Sequence, residues 1–367
     1  MAKTVNSFDE WYVKSSYQQF VRQENVPLYE GSYLEDLATL PLAEWERRGG
    51  RAAYTRLGEQ EIYNLQLVEI PPKGELKPEH HMYDSVMYVI KGRGATTVWQ
   101  EGEPKHTAEW EEGALLAIPL NAWHQEFNSS SDEPCRVIFG SNMAQVLNHY
   151  HNLDFVFHNP FCFNDRFSNA MSDFYGWDGK RWNAALYETN FVTDVRKFTL
   201  EGAPERGNRI SHMRFSMASS SVGVHIQEVA EGTYVSAHRH LAGAHVITVG
   251  GEGYELLFMP GEEKNRQKYP IKPYSVVAPR TNEFHQHFNT GRGPYRYLAI
   301  RGQTNPLRFG SGGGYNPTWS AQNKDPSAVV FQINYEQEDP SIREEYYAEL
   351  QKKGITSRLP PIRQGSN

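Results

Sequence analysis

Two stretches of this chain can be laid over one another residue by residue. Setting Gly92-Arg93-Gly94 on Gly251-Glu252-Gly253 brings Glu79-His80-His81 onto His238-Arg239-His240, and Ser85 onto Ala244. After a small insertion, "IPLNAWHQEFN" falls on "APRTNEFHQHFN", so His124 aligns with His285, Glu126 with His287 and Asn128 with Asn289. Two separated motifs, matched in the same order at nearly the same spacing, mark an internal duplication. One fold must therefore occur twice within 367 residues, which is enough chain for two cores of ordinary size.

Each copy is written in short apolar runs broken by Gly, Pro and Asn. The first has "IYNLQLVEI", "SVMYVIKGRGATTVW", "GALLAIPL" and "CRVIFGS"; the second has "VGVHIQEV", "HVITVGGEGYELLF", "YSVVAPR" and "YRYLAIRG". Short strands at even spacing with turn residues between them predict small antiparallel barrels or sandwiches. The expected division is an arm of short helices over 1–60, a first barrel over 61–148, a connector over 149–207, a second barrel over 208–305 and an extension over 306–367. The connector, rich in Phe, Tyr and Asn, reads as a strap over barrel surface. In the extension, Ser341, Glu344 and Gly354 give the start and stop signals of one helix, and the arm beyond it predicts a homo-oligomer.

Composition removes several classes of function. A net charge of -7 with no Lys/Arg-rich block offers nothing to nucleic acid or an anionic membrane. The N-terminal sequence has neither an apolar signal core nor a run long enough to span a bilayer, and Cys135 and Cys162 are the only cysteines, so a reducing cytoplasm without disulfides is expected.

The chemistry concentrates between Ala237 and Asn289. His238 and His240 are two apart on an expected strand and share a face; a strand returning through a Gly-rich turn brings His285 to them. Three neutral imidazoles facing one point suit a borderline divalent metal. "HRHLAGAH", "GGEG" and "PRTNEFHQHFN" resemble the two motifs of the cupin family: His-x-His, an acid and a Gly, then Pro, a turn, His and Asn. The duplication then resembles a bicupin. The fold expected from this is all-β dominated, two cupin (jelly-roll, double-stranded β-helix) barrels with short flanking helices.

The resemblance implies a metal held by His238, His240 and His285. The family's fourth ligand, an acid, falls on Ala244 when counted back from Gly251 and on His245 when counted forward from His240; a regular strand favours the first and a bulge the second. His287, two residues after His285, is expected to face inward, as a base or hydrogen-bond donor toward substrate or as a structural partner for a buried polar group. Gln227, His225 and Tyr254 are weaker pocket candidates. In the first copy, Glu79, His81 and His124 match the ligand places, Ser85 replaces the acid, and an empty or degenerate site is expected. A neutral histidine shell leaves a dication uncompensated, which favours a small anionic or hydroxylated organic substrate together with dioxygen. This resembles gentisate- and quercetin-type cupin dioxygenases and implies Fe(II), with Mn(II) or another divalent metal as the alternative. The competing expectations are a manganese decarboxylase or isomerase and a non-catalytic small-molecule-binding bicupin.

Overall fold

The computed structural model describes residues 15–168, 171, 173–202, 209–240, 244–302 and 331–361. The duplication is present as two barrels, each a large sheet facing a smaller one. In the first, Asn64–Ile70, Cys135–Ser141, Ser85–Lys91 and Leu115–Ile118 are adjacent strands of an eight-stranded sheet, opposite Trp123–Asn128, Arg93–Trp99 and His106–Glu111. In the second, Val222–Val229, Tyr295–Gly302, Ala244–Gly250 and Val276–Val277 take the same order in a nine-stranded sheet. Its five-stranded partner includes Gly253–Phe258, Phe284–Asn289 and His238–Arg239.

The central strands are apolar at nearly every position because they are covered on both faces. One core runs between the barrels, from Leu65, Val86 and Ile138 to Val224, Ile247 and Ile300. The other face of the second large sheet turns Val229, Val246, Val277 and Tyr295 into that barrel's own interior, with Leu257 from the small sheet. Adjacent residues on one strand therefore belong to different cores, a fact that decides where each histidine points.

The motif glycines and asparagines have the same work in both barrels. Gly92 and Gly251 hold φ of +93° and +83°, the left-handed region that a side chain disfavours. Two residues later the strands approach so closely that a Cβ on Gly94 would meet the Phe127 carbonyl oxygen at 2.0 Å, and one on Gly253 the Phe288 carbonyl oxygen at 1.8 Å. Asn128 donates from Nδ2 to the carbonyls of Ile70 (3.0 Å) and Glu133 (2.9 Å). Asn289 does the same to Val229 (2.9 Å) and Gly293 (2.8 Å). These bonds fasten the end of the strand that carries the second-motif histidine.

The flanking segments contribute strands to both barrels. The arm has one helix among the described residues, Ser16–Gln23, with the Ser15 hydroxyl accepting from the Gln18 amide at 3.1 Å. It then supplies strands, and Tyr33–Leu34 pairs with Val276–Val277 of the second barrel. The connector reciprocates: its Phe191–Val192 pairs with Leu115–Ile118 of the first barrel. Two-residue edge strands have no periodicity to read, and their partners are distant in sequence, so neither exchange was visible beforehand. Residues 1–14 of the arm, 303–305 of the second barrel, and 306–330 and 362–367 of the extension lie outside the described residues. The extension's helix, Pro340–Lys352, is capped by Asp339 rather than Ser341 and buries Ile342, Tyr346 and Leu350 against Tyr234, Tyr254 and Phe288. Both cysteines are free, and among the described residues no helix is long and apolar enough to cross a membrane.

Candidate metal centre

In the second barrel the antiparallel pair His238↔His285 sets two imidazoles side by side, their ring centroids 4.1 Å apart. His287, one inward position further along the same strand, joins them: His238, His285 and His287 each offer a donor atom within 4.8 Å of the other two, and all three are buried. Burial, reinforced by His238, His240 and His287, holds the His285 pKa well below the ordinary imidazole value, so the ring is a neutral lone-pair donor.

His240 stands at the edge of this group. It is half-buried, and its centroid is 5.0 Å from His285 and 6.2 Å from His238. Residues 241–243, which follow it, lie outside the described residues.

His245 is placed elsewhere. The strand Ala244–Gly250 pairs regularly from Ala244 to Thr248, with His245 opposite Ile300. Ala244 and Val246 face the barrel interior while Ile247 and Ile300 face the core between the barrels, so His245 goes with the latter. It is fully buried there, and burial, partly offset by a backbone hydrogen bond at Ile300, lowers its pKa to about 4. From Ala244 to Thr248 the pairing has no bulge, and within that span Ala244, not His245, is the residue on the interior face. Tyr254 likewise turns outward, under the C-terminal helix.

An acid that sequence reading passed over sits behind the cluster. Glu255 is opposite His287 in the strand pair, and its Oε1 accepts from His287 Nδ1 at 2.9 Å and from the Tyr295 hydroxyl at 3.1 Å. Holding the proton on Nδ1 leaves Nε2 of His287 as the lone-pair donor toward His238 and His285. The available signal was alternation: Gly253 and Glu255 share a face, and the motif glycine fixes which face it is. Replacing Glu255 by Ala is expected to weaken divalent-metal binding about 10- to 100-fold while His287 stays in place, measured by competition with a chromogenic chelator.

The matching place in the first barrel is filled differently. Glu79, His81 and His124 again lie within 4.8 Å of one another. Both oxygens of Glu79 are already engaged, however, by Arg47 and, at 2.9 Å, by Arg48. Arg48 also donates to Glu126 at 2.7 Å, and Glu126 accepts from His124 Nδ1 at 2.7 Å. Burial alone would raise the Glu79 pKa; Arg47 and Arg48 together reverse this and hold it far below the usual carboxylate range. His81 stacks on Tyr83 at 3.6 Å, and burial lowers its pKa to about 3. Two guanidinium groups thus supply the positive charge that a metal would bring. Arg47 and Arg48 belong to the expected arm of short helices, in which no candidate site residue was named.

Residues 66–140, most of the first barrel, match the Cupin domain family. No curated protein matches the chain. Among solved structures, a variant of Bacillus subtilis oxalate decarboxylase is 13% identical over 73% of this chain and 76% of its own, with a TM-score of 0.48. Vicilin from Corylus avellana is 13% identical over 74% and 85%, with a TM-score of 0.46. The 7S globulin of Momordica charantia is 14% identical over 75% and 84%, with a TM-score of 0.47. A fold by itself does not fix an activity, so the site must decide it.

Proposed function

We propose that the second barrel is the working site of a non-haem Fe(II) dioxygenase that cleaves a carbon–carbon bond in a small hydroxylated aromatic acid or enolisable diketone. The observation that supports this reading is the buried trio His238, His285 and His287, which contributes donors but no negative charge. Such a set fits a borderline dication, with His240 near enough to His285 to complete the shell. Bound there, ferrous iron would supply Lewis acidity toward an oxyanion and open positions for dioxygen.

The chain's own contribution is placement and exclusion of water. His287 serves best as a ligand rather than as the expected base, because Glu255 already holds its Nδ1 proton and Tyr297 packs against its ring at 4.5 Å. Val246, Leu257 and Val277 line the interior around the cluster and keep bulk water from a reacting substrate. The test is anaerobic loading with ferrous iron followed by oxygen-electrode assays over hydroxylated aromatic acids and diketones. Oxygen uptake with one class is the expected result; iron-loaded protein inert toward both would overturn the reading, and manganese as the metal of the purified protein would favour a decarboxylase or isomerase.

A further inference from the structure

The wall facing the histidine cluster carries the expected pocket residues His225 and Gln227, paired with the interior positions Ala299 and Tyr297, and next along it Val229, paired with Tyr295. Tyr295 begins a buried row of hydroxyls. It donates to Glu255 Oε1 at 3.1 Å and takes a hydrogen bond from the Thr248 side chain. Thr248 Oγ1 in turn accepts from Ser275 Oγ at 3.1 Å, and Ser275 Oγ accepts from the Lys272 amide at 3.2 Å. Every donor points the same way, from the 272–275 turn toward the oxygen that also accepts from His287 Nδ1 at 2.9 Å. Thr248 is 1% exposed, and Tyr295, Ser275 and Glu255 are fully buried, so water does not compete along the row. Burial, with Glu255 beside it, raises the Tyr295 pKa well above the ordinary phenol value, and the hydroxyl keeps the proton it donates.

The duplication shows that the fold does not require this row. In the second barrel the Tyr274 amide donates to the Thr248 carbonyl at 2.8 Å and the Thr248 amide to the Ser275 carbonyl at 2.9 Å. In the first, the Gly113 amide donates to the Val89 carbonyl and the Val89 amide to the Ala114 carbonyl, both at 2.9 Å. Val89 therefore holds the place of Thr248, and Ala114 that of Ser275. Cys135 holds the place of Tyr295: it pairs with Ile70 as Tyr295 pairs with Val229, the two residues whose carbonyls Asn128 and Asn289 bind. Val89, Ala114 and Cys135 are fully buried too, so this end of a barrel closes without any hydroxyl. Thr96, the match of Glu255, accepts instead from Trp110 Nε1 at 3.0 Å. Burying hydroxyls costs free energy that bonding only offsets, and the three occur in the copy where they lead to the acid behind His287.

We propose that Tyr295, Thr248 and Ser275 are positioning residues of the metal centre, a row of donors that fixes the Glu255 carboxylate on His287 and so sets the tautomer and direction of that ring. This rests on the metal reading above and deepens it. Glu255 Oε1 is held from two sides, by the imidazole and by the phenol, and hydrogen bonds in series polarise one another and strengthen the last. Without the phenol hydroxyl the carboxylate is held by the imidazole alone and can turn, and Nε2 of His287 loses its fixed aim toward His238 and His285.

The experiment uses full-length protein and Co(II), with affinity read by competition with a chromogenic chelator. Tyr295→Phe should weaken Co(II) binding about tenfold, the lower end for an outer partner of a ligand. Thr248→Val should weaken it about fivefold, the worth of one net hydrogen bond, and Thr248→Ser, which restores a hydroxyl, should return it to the wild-type value. Urea titrations of the metal-free variants accompany these measurements: Tyr295→Phe and Thr248→Val that lose stability yet keep wild-type affinity would make the row a packing feature and overturn the proposal. Wild type that takes up no Co(II) would overturn the metal reading instead. Nitrogen NMR of histidine-labelled, metal-free protein then judges the row, with His287 a single tautomer protonated at Nδ1 in the wild type and a mixture in Tyr295→Phe; the same single tautomer in both would overturn it.

Discussion

His285→Ala is expected to reduce bound divalent metal from about one per chain to near zero, while His124→Ala leaves it unchanged. His285 lies close to each of the other three rings, 4.1 Å from His238, 5.0 Å from His240 and 5.5 Å from His287. Losing it removes a direct donor, which costs more than the roughly 10- to 100-fold attributed to an outer-shell partner. His124 has the same place in the other barrel, but its neighbour Glu79 is neutralised by Arg47 and Arg48. His245→Ala serves as the control for a buried histidine on the opposite face of the strand, and metal content should survive it. Elemental analysis after exhaustive dialysis reads all three. Loss of metal in His124→Ala with retention in His285→Ala would exchange the roles of the barrels.

The two sites differ by a rearrangement within one pair of strands. Glu126 is opposite Thr96 in the first barrel, and Glu255 is opposite His287 in the second. The duplication aligns Thr96 with Glu255 and Glu126 with His287, so the acid has changed strands while continuing to hold a histidine through Nδ1. In the second barrel this frees a position for another imidazole. In the first it leaves two buried carboxylates, Glu79 and Glu126, and the arm answers them with Arg48.

The repeat, the all-β architecture and the meeting of His238 with His285 were legible because they depend on local alternation and on glycines whose backbone no other residue tolerates. His245 was ambiguous for a reason that alternation itself explains: both faces of Ala244–Gly250 are buried, so an apolar run gives no sign of which face is the interior. Glu255 was not singled out, since a charged residue on a strand reads as solvent-facing until the barrel closes around it. Arg47 and Arg48 lie outside the repeat altogether, and only tertiary packing brings "WERRGG" against the first barrel's histidines.

Arg48→Met should destabilise the protein by about 3–5 kcal/mol near neutral pH, the range for removing one partner of a buried ion pair. Arg48 is 2% exposed and is held by Glu79 at 2.9 Å, Glu126 at 2.7 Å and the Lys77 carbonyl at 2.8 Å. Methionine keeps much of the volume but removes the charge, leaving Glu126 fully buried without a guanidinium and Glu79 with Arg47 alone. The pH dependence has a definite sign. Burial raises both carboxyl pKa values, but the arginines, with His124, more than reverse it, so both are lowered in the folded protein. Groups with depressed folded pKa values contribute stability above their unfolded values, and that contribution is lost as pH falls through the folded ones. In the variant, the orphaned carboxylates take up protons at higher pH, so the gap between wild type and variant should be widest near pH 7 and narrow as pH falls toward about 4 and below. Urea titrations at pH 4 and pH 7 measure it directly; a loss under about 1 kcal/mol at pH 7 would mean that water or Arg47 replaces the missing charge.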